Sequence, residues 1–157
     1  MTIIKYAKLL ELINDSPDNI VIIKEKYLNL LSELTKTSDL DTNIFYQKML
    51  LINQMGCIIV AYIDNPISNN LKIIASGTII IEPKIIRGGK NVGHIEDIVV
   101  SEEYRGNGIS KNILEMLKTI ARENDCYKVI LDCSEEVKKV YNSSGFEEKG
   151  IQMGIYL

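Results

Sequence analysis

Between Gly93 and Cys133 the chain reads GHIEDIVV, SEEYRGNGI, SKNILEMLKTIAREND and CYKVILDC, two β-branched runs joined through a glycine loop and an amphipathic segment. Ile113, Leu114, Leu117, Ile120 and Ala121 recur at helical spacing. A strand, a crossover helix and a following strand almost always lie parallel and right-handed. The two runs are therefore predicted to be parallel neighbours with the Lys111 helix across them, and the rest of the chain must be arranged around this unit.

Upstream, CIIVAYI and KIIASGTIIIE flank the turn-rich DNPISNN (Asp64 to Asn70), which predicts an antiparallel hairpin with a long loop. IRGGKN, from Ile86 to Asn91, reads as an exposed turn. Near the start, YAKLLEL is expected as a short strand. SPDN reads as a helix start, with Ser16 as N-cap and Pro17 at the first helical position. Ile20, Ile23, Tyr27, Leu30, Leu31 and Leu34 then form one helical stripe, and a second helix is predicted from about Thr42 to Gln54. Downstream, EEVKKVYNSSGF fits a short helix ended by Gly145, and EKGIQMGIYL is expected as closing strand material. The class is α/β, a hairpin meander followed by β-α-β-α-β. With 157 residues, 46% of them hydrophobic, one core is affordable and two are not, so residues 1–157 are expected to form a single domain.

A net charge of −3 argues against a wide basic face for nucleic acid or anionic membrane. Cys57, Cys126 and Cys133 are odd in number and form no C-x-x-C, and His94 is the sole histidine, so no disulfide framework and no metal site is expected. The first residues lack a clean apolar signal region, and no apolar run reaches spanning length. A soluble, cytoplasmic protein in a reducing compartment is the expectation.

Arg105-Gly106-Asn107-Gly108 opens the amphipathic helix. Such a turn presents free N–H groups and the positive end of a helix dipole, a good place for phosphate oxygens. The third glycine of a dinucleotide fingerprint would fall at Lys111, and the P-loop pattern is absent. On glycine spacing alone, a plain turn into a helix is the commoner reading.

The string from GHIEDIVV to GIQM resembles the GCN5-related N-acetyltransferase (GNAT) superfamily, whose R/Q-x-x-G-x-G/A signature is met by Arg105 and Gly108, with Ser110 at the last position. GHIEDIVV, CYKVILDC, VYNSSGF and GIQM, with LLSELTKT and IIIEPKII upstream, are more narrowly similar to the branch that acetylates D-glucosamine 6-phosphate. The resemblance spans Leu30 to Met153. It implies the acyl-CoA N-acyltransferase fold, a mixed, mostly antiparallel sheet with a parallel central strand pair flanked by helices.

The resemblance further implies acetyl-CoA as co-substrate, its pantetheine arm along Ile98, Val99 and Val100 and its pyrophosphate on Arg105, Gly106, Asn107, Gly108, Ile109, Ser110 and Lys111. Tyr141, Asn142 and Ser143 complete that side, with Tyr141 as proton donor to the departing sulfur. Asp132 and Glu96 are implied at the amine as base or orienting acceptors. Glu96 and Asp97 are adjacent, so they face opposite sides of a regular sheet, and the branch solves this with a bulge. Asp97, Ile98, Tyr127 and Lys128 are implied near the sugar, and Thr35, Lys84, Ile85, Ile86 and Arg87 near its phosphate. Relatives can carry an arginine near the C-terminus where this chain has Tyr156, which can hydrogen-bond phosphate but cannot neutralise it. A homodimer is implied as well. The alternatives are an acetyltransferase for another amine and a non-catalytic acyl-CoA-binding module.

Overall fold

The computed structural model describes residues 3–65 and 70–157. Among these, β1 (Lys5–Lys8), β2 (Gly56–Asn65), β3 (Asn70–Glu82), β4 (Asn91–Val100) and β5 (Cys126–Ile130) form one sheet in chain order. Neighbours from β1 to β4 are antiparallel, and β4 and β5 are parallel. The helices are α1 (Leu9–Asp15), α2 (Ile20–Leu31), α3 (Thr42–Met55), α4 (Ile109–Glu123) and α5 (Lys138–Asn142).

Apolar residues on both faces of β2 explain its uninterrupted hydrophobic run, because both faces are covered. Cys57, Ile59 and Ala61 join Ile113, Leu114, Leu117 and Ala121 of α4 in one core. Ile58 and Val60 join Leu9, Ile13, Ile23, Tyr27, Leu30, Phe45 and Met49 of α1 to α3 in another. The period of two along β2 thus distributes its residues between two layers of helix. Asp41 fixes the start of α3 by accepting from Asn43 N (2.9 Å) and Ile44 N (3.2 Å), a side-chain N-cap.

The parallel pair, the crossover α4, the hairpin and α3 stand where the sequence predicts them. Four details differ. The strand expected over YAKLLEL ends at Lys8, and Leu9 and Ile13, four apart and both buried, continue as α1. Pro17 opens a 3-10 turn (Pro17–Asn19) in which Ser16 caps nothing with its side chain, and α2 begins only at Ile20. The hairpin strands run to Asn65 and from Asn70, so Asp64, Asn65 and Asn70 belong to them, while the other residues of the expected loop, 66–69, lie outside the described ones. Finally, EKGIQMGIYL is not a strand: residues 147–157 have no regular structure, and Ile151, Met153, Ile155 and Leu157 are exposed. Their alternation is a strand pattern, but a strand needs a ladder partner, and this tail finds none among the described residues. The parallel pair consequently sits at one edge of the sheet rather than at its centre.

Two irregularities in β4 shape the site. Thr78 faces Glu96 and Ser76 faces Val99, so the single residue Gly77 spans opposite Asp97 and Ile98, and Asp97 takes φ +52°. This is the expected bulge, and it leaves no room on the opposing strand: a Cβ on Gly77 would lie 2.4 Å from Ile98 Cδ1 and 2.8 Å from Ile113 Cγ2. The ladder between β4 and β5 stops at His94 and Ile130. Residues 95–100 therefore keep one backbone edge unpaired among the described residues.

Candidate active site

That free edge forms one wall of a groove of about 400 Å³. Ile98, Val99 and Val100 line it on the strand side, Arg105, Gly106, Gly108, Ile109 and Ser110 at the loop, and Val137, Val140 and Tyr141 opposite. Gly106 and Gly108 take φ +78° and +74°, and Gly108 is the N-cap of α4 with no side chain capping it. Nothing lies within 4 Å of a Cβ built on either. Glycine is required here by the left-handed backbone rather than by crowding, and the open space in front of the uncapped N–H groups is where an anion would stand. The loop is held from within: Arg105 Nε donates to Val100 O (3.0 Å), and Asn107 Nδ2 donates to Tyr104 O (3.0 Å) and Arg105 O (3.2 Å). Lys111 follows in the first turn of α4 without lining the groove.

An unpaired strand edge running into uncapped amides suits an amide-bearing arm ending in a pyrophosphate, which is the chemistry of acetyl-CoA. The edge can pair with the arm's amides, and the loop can meet its phosphates.

A second cavity of about 400 Å³ lies beyond the end of β5, lined by Asp132, Cys133, Asn142, Tyr141 and residues of the tail. Tyr141 borders both spaces. Burial pushes its phenol above the ordinary value, and the neighbouring Cys133 adds to the shift. The ring is fixed by Phe146, edge-on at 6.2 Å. Ser143 turns its hydroxyl back to Val140 O (2.7 Å) at the end of α5. Asp132 Oδ2 accepts from Gln152 Nε2 (2.9 Å). Glu96 is held above the ordinary carboxylate value, first by burial and then by the charges of Asp97 and Asp132. The bulge and the end of β5 thus bring Glu96, Asp97 and Asp132 within reach of one another's charge.

The remaining expected residues do not converge on this cluster within one chain. Arg87, at φ +58°, and Lys128 both place their charge 5.6 Å from the Tyr127 ring. Tyr127 is five residues before Asp132, about 16 Å along an extended chain. Lys84 is ion-paired with Glu82, whose other oxygen is 2.6 Å from His94 Nε2, and both bonds hold the Glu82 carboxyl below its usual value. Ile85 and Ile86 are exposed at the tip of that loop. Thr35 stands just past α2, at the opposite end of β4 from Lys84. Tyr156 is fully exposed on the tail. The sequence reading missed Glu33, which lines the groove and touches its loop, and also Val137 and Val140. Glu33 lay in view inside LLSELTKT, but no local pattern announces a contact across 69 residues.

A glycine-capped crossover helix, a bulged and splayed β4, and a tyrosine between two cavities define a GNAT-type acetyltransferase site. The family model described as "Acetyltransferase (GNAT) family" matches residues 23–146, and the chain belongs to that family. A probable glucosamine 6-phosphate N-acetyltransferase 2 of Oryza sativa subsp. japonica is 39% identical over 133 residues, 83% of this chain and 79% of that protein. The glucosamine 6-phosphate N-acetyltransferase of Arabidopsis thaliana is 36% identical over 134 residues, 85% of this chain and 89% of its own length. The crystal structure of the Arabidopsis thaliana enzyme superposes with a TM-score of 0.82 at 33% identity, covering 98% of each chain. Among the described residues there is no helix long and apolar enough to cross a membrane.

Proposed function

We propose that this enzyme transfers the acetyl group of acetyl-CoA to the amine of D-glucosamine 6-phosphate, releasing CoA and N-acetyl-D-glucosamine 6-phosphate, by direct attack in a ternary complex. The observation that carries this reading is the position of Tyr141 between the two cavities, one suited to a thioester arm and the other lined by carboxylate. The relatives of comparable length named for this reaction support the choice of acceptor.

Acetyl-CoA supplies the activated acetyl group. Asp132 and Glu96 accept hydrogen bonds from the amine and take up the proton it loses as the C–N bond forms. Tyr141 donates its hydroxyl proton to the sulfur as the C–S bond breaks, and its raised pKa keeps it protonated for that task. The uncapped amides of Gly106 to Lys111 hold the pyrophosphate, with Arg105 adding charge. Asn142 and Ser143 complete the cofactor side.

Thr35, Lys84, Ile85, Ile86 and Arg87, with Asp97, Ile98, Tyr127, Lys128 and Tyr156, form the sugar phosphate site. Because Thr35 and Lys84 lie at opposite ends of the ten-residue β4, about 30 Å in extent, one hexose phosphate cannot meet both in one protomer. The site is completed in a homodimer, with the unpaired tail as the exchanged element. Residues 1–157 act as one domain, in the cytoplasm, on the route to UDP-N-acetylglucosamine.

The same scatter of cations favours a second reading, an acetyltransferase for an amine without phosphate. Catalytic efficiency for D-glucosamine 6-phosphate and plain glucosamine, measured at equal acetyl-CoA, decides between them. If charge-assisted bonds hold the phosphate, each lost bond costs roughly 10- to 100-fold. Equal efficiencies would overturn the first reading.

A further inference from the structure

Glu33 lies two residues beyond α2, far in sequence from the loop that precedes α4, yet it makes two hydrogen bonds and one ion pair with that loop. Its Oε1 accepts from Ser101 Oγ (2.9 Å), its Oε2 accepts from Glu102 N (2.8 Å), and Oε2 is 3.9 Å from Arg105 Nη2. Ser101 is buried, so its hydroxyl needs a partner inside the protein. The 3-10 turn Glu102–Tyr104 has no side-chain cap of its own, and Glu33 supplies the acceptor that its first N–H lacks. Arg105 is oriented from two sides, through Nε by Val100 O and through Nη2 by Glu33.

We propose that Glu33 is a positioning residue for cofactor binding, which locks the anion-binding loop between β4 and α4 to the turn after α2. A carboxylate beside a site for pyrophosphate would by charge alone oppose binding. Its gain must come from order: fixing Ser101, Glu102 and Arg105 before the ligand arrives spares the entropy of arranging them on binding. The turn that carries Glu33 continues into Thr35 through backbone bonds to Leu30 O and Leu31 O, which anchors it to the end of α2. The assignment rests on the acetyl-CoA reading of the groove.

The test is calorimetric titration of the full chain and its variants with CoA, alongside steady-state kinetics and thermal melting. Glu33→Ala should weaken CoA binding and raise the acetyl-CoA KM by about 10-fold, the scale of one lost charge-assisted bond, with kcat at saturation within about twofold of the unaltered enzyme. Glu33→Gln keeps an acceptor for Glu102 N and a donor for Ser101 Oγ, and should restore CoA binding to within about threefold. Ser101→Ala, which removes one contact and keeps the carboxylate, provides a milder variant should Glu33→Ala fold poorly, and should weaken CoA by about threefold. A role in stability alone would lower the melting temperature and leave the CoA dissociation constant unchanged, which overturns the proposal. So does a Gln variant as weak as the Ala variant. Failure of the unaltered enzyme to bind CoA would instead refute the reading of the groove itself.

Discussion

The ring of Tyr141 stands at 84° to that of Phe146, with centroids 6.2 Å apart, so the phenol is held by packing that does not involve its hydroxyl. Tyr141→Phe removes the oxygen and keeps the edge-on contact. Turnover at saturating substrates should fall by roughly 100-fold or more, the usual contribution of a positioned acid, while the melting temperature stays close to that of the unaltered enzyme. Turnover within twofold would reduce Tyr141 to a packing residue.

Gly77 faces the bulge that exposes Glu96 and Asp97. A methyl there would press on Ile98 and Ile113, both part of the core under α4. Gly77→Ala should destabilise the fold by roughly 1–3 kcal/mol, as overpacking does, and should raise the acetyl-CoA KM because Ile98 lines the groove. Urea denaturation combined with steady-state kinetics measures both effects. A variant of unchanged stability would show that the bulge relaxes freely.

Much of this arrangement was legible in the sequence because it rests on local signals. The hairpin, the crossover unit and the glycine loop each carry their own periodicity or backbone demand, and GHIEDIVV to CYKVILDC already fixed which strands are parallel. What escaped depended on partners far away in the chain. YAKLLEL turned helical at Leu9 because Leu9 and Ile13 bury against β2 and α3, a tertiary demand that overrides alternation. The tail has a strand pattern without a ladder partner among the described residues. The carboxylates Asp132, Glu96 and Asp97 lie within reach of one another's charge, whereas the cations Lys84 and Arg87 came to rest beside Glu82 and Tyr127. Glu33 joins the site only through contacts that sequence spacing does not encode.

Glu96 supplies a test by pH. Burial and the charges of Asp97 and Asp132 make its carboxyl bind a proton more readily than usual. A step needing ionised Glu96 is lost as pH falls through that raised value, so the acid limb of kcat/KM should lie above the ordinary carboxylate range. Asp97→Asn removes one of the two repelling charges, and asparagine tolerates the left-handed backbone found there. The acid limb should then move to lower pH. A limb that stays in place in Asp97→Asn and persists in Glu96→Gln would assign it to another group.

The tail offers the last test. Ile151, Met153, Ile155 and Leu157 fall on every second residue and are all at least 84% exposed, while β5 presents an edge that no strand among the described residues covers. An apolar strand face and an open sheet edge together are costly in water, and pairing with a second copy would satisfy both at once. The solution mass should therefore be twice the 17.7 kDa of one chain. Replacing Ile151 and Met153 together by lysine should shift the enzyme towards monomer, because two charges would enter a buried face. If the sugar phosphate site is shared between protomers, the same variant loses efficiency for D-glucosamine 6-phosphate while its affinity for CoA, held by β4 and the glycine loop of one chain, stays within about threefold. Light scattering and calorimetry on the same sample read the two quantities. A monomeric unaltered enzyme with full activity would remove the dimer, and with it the explanation for the scattered cations.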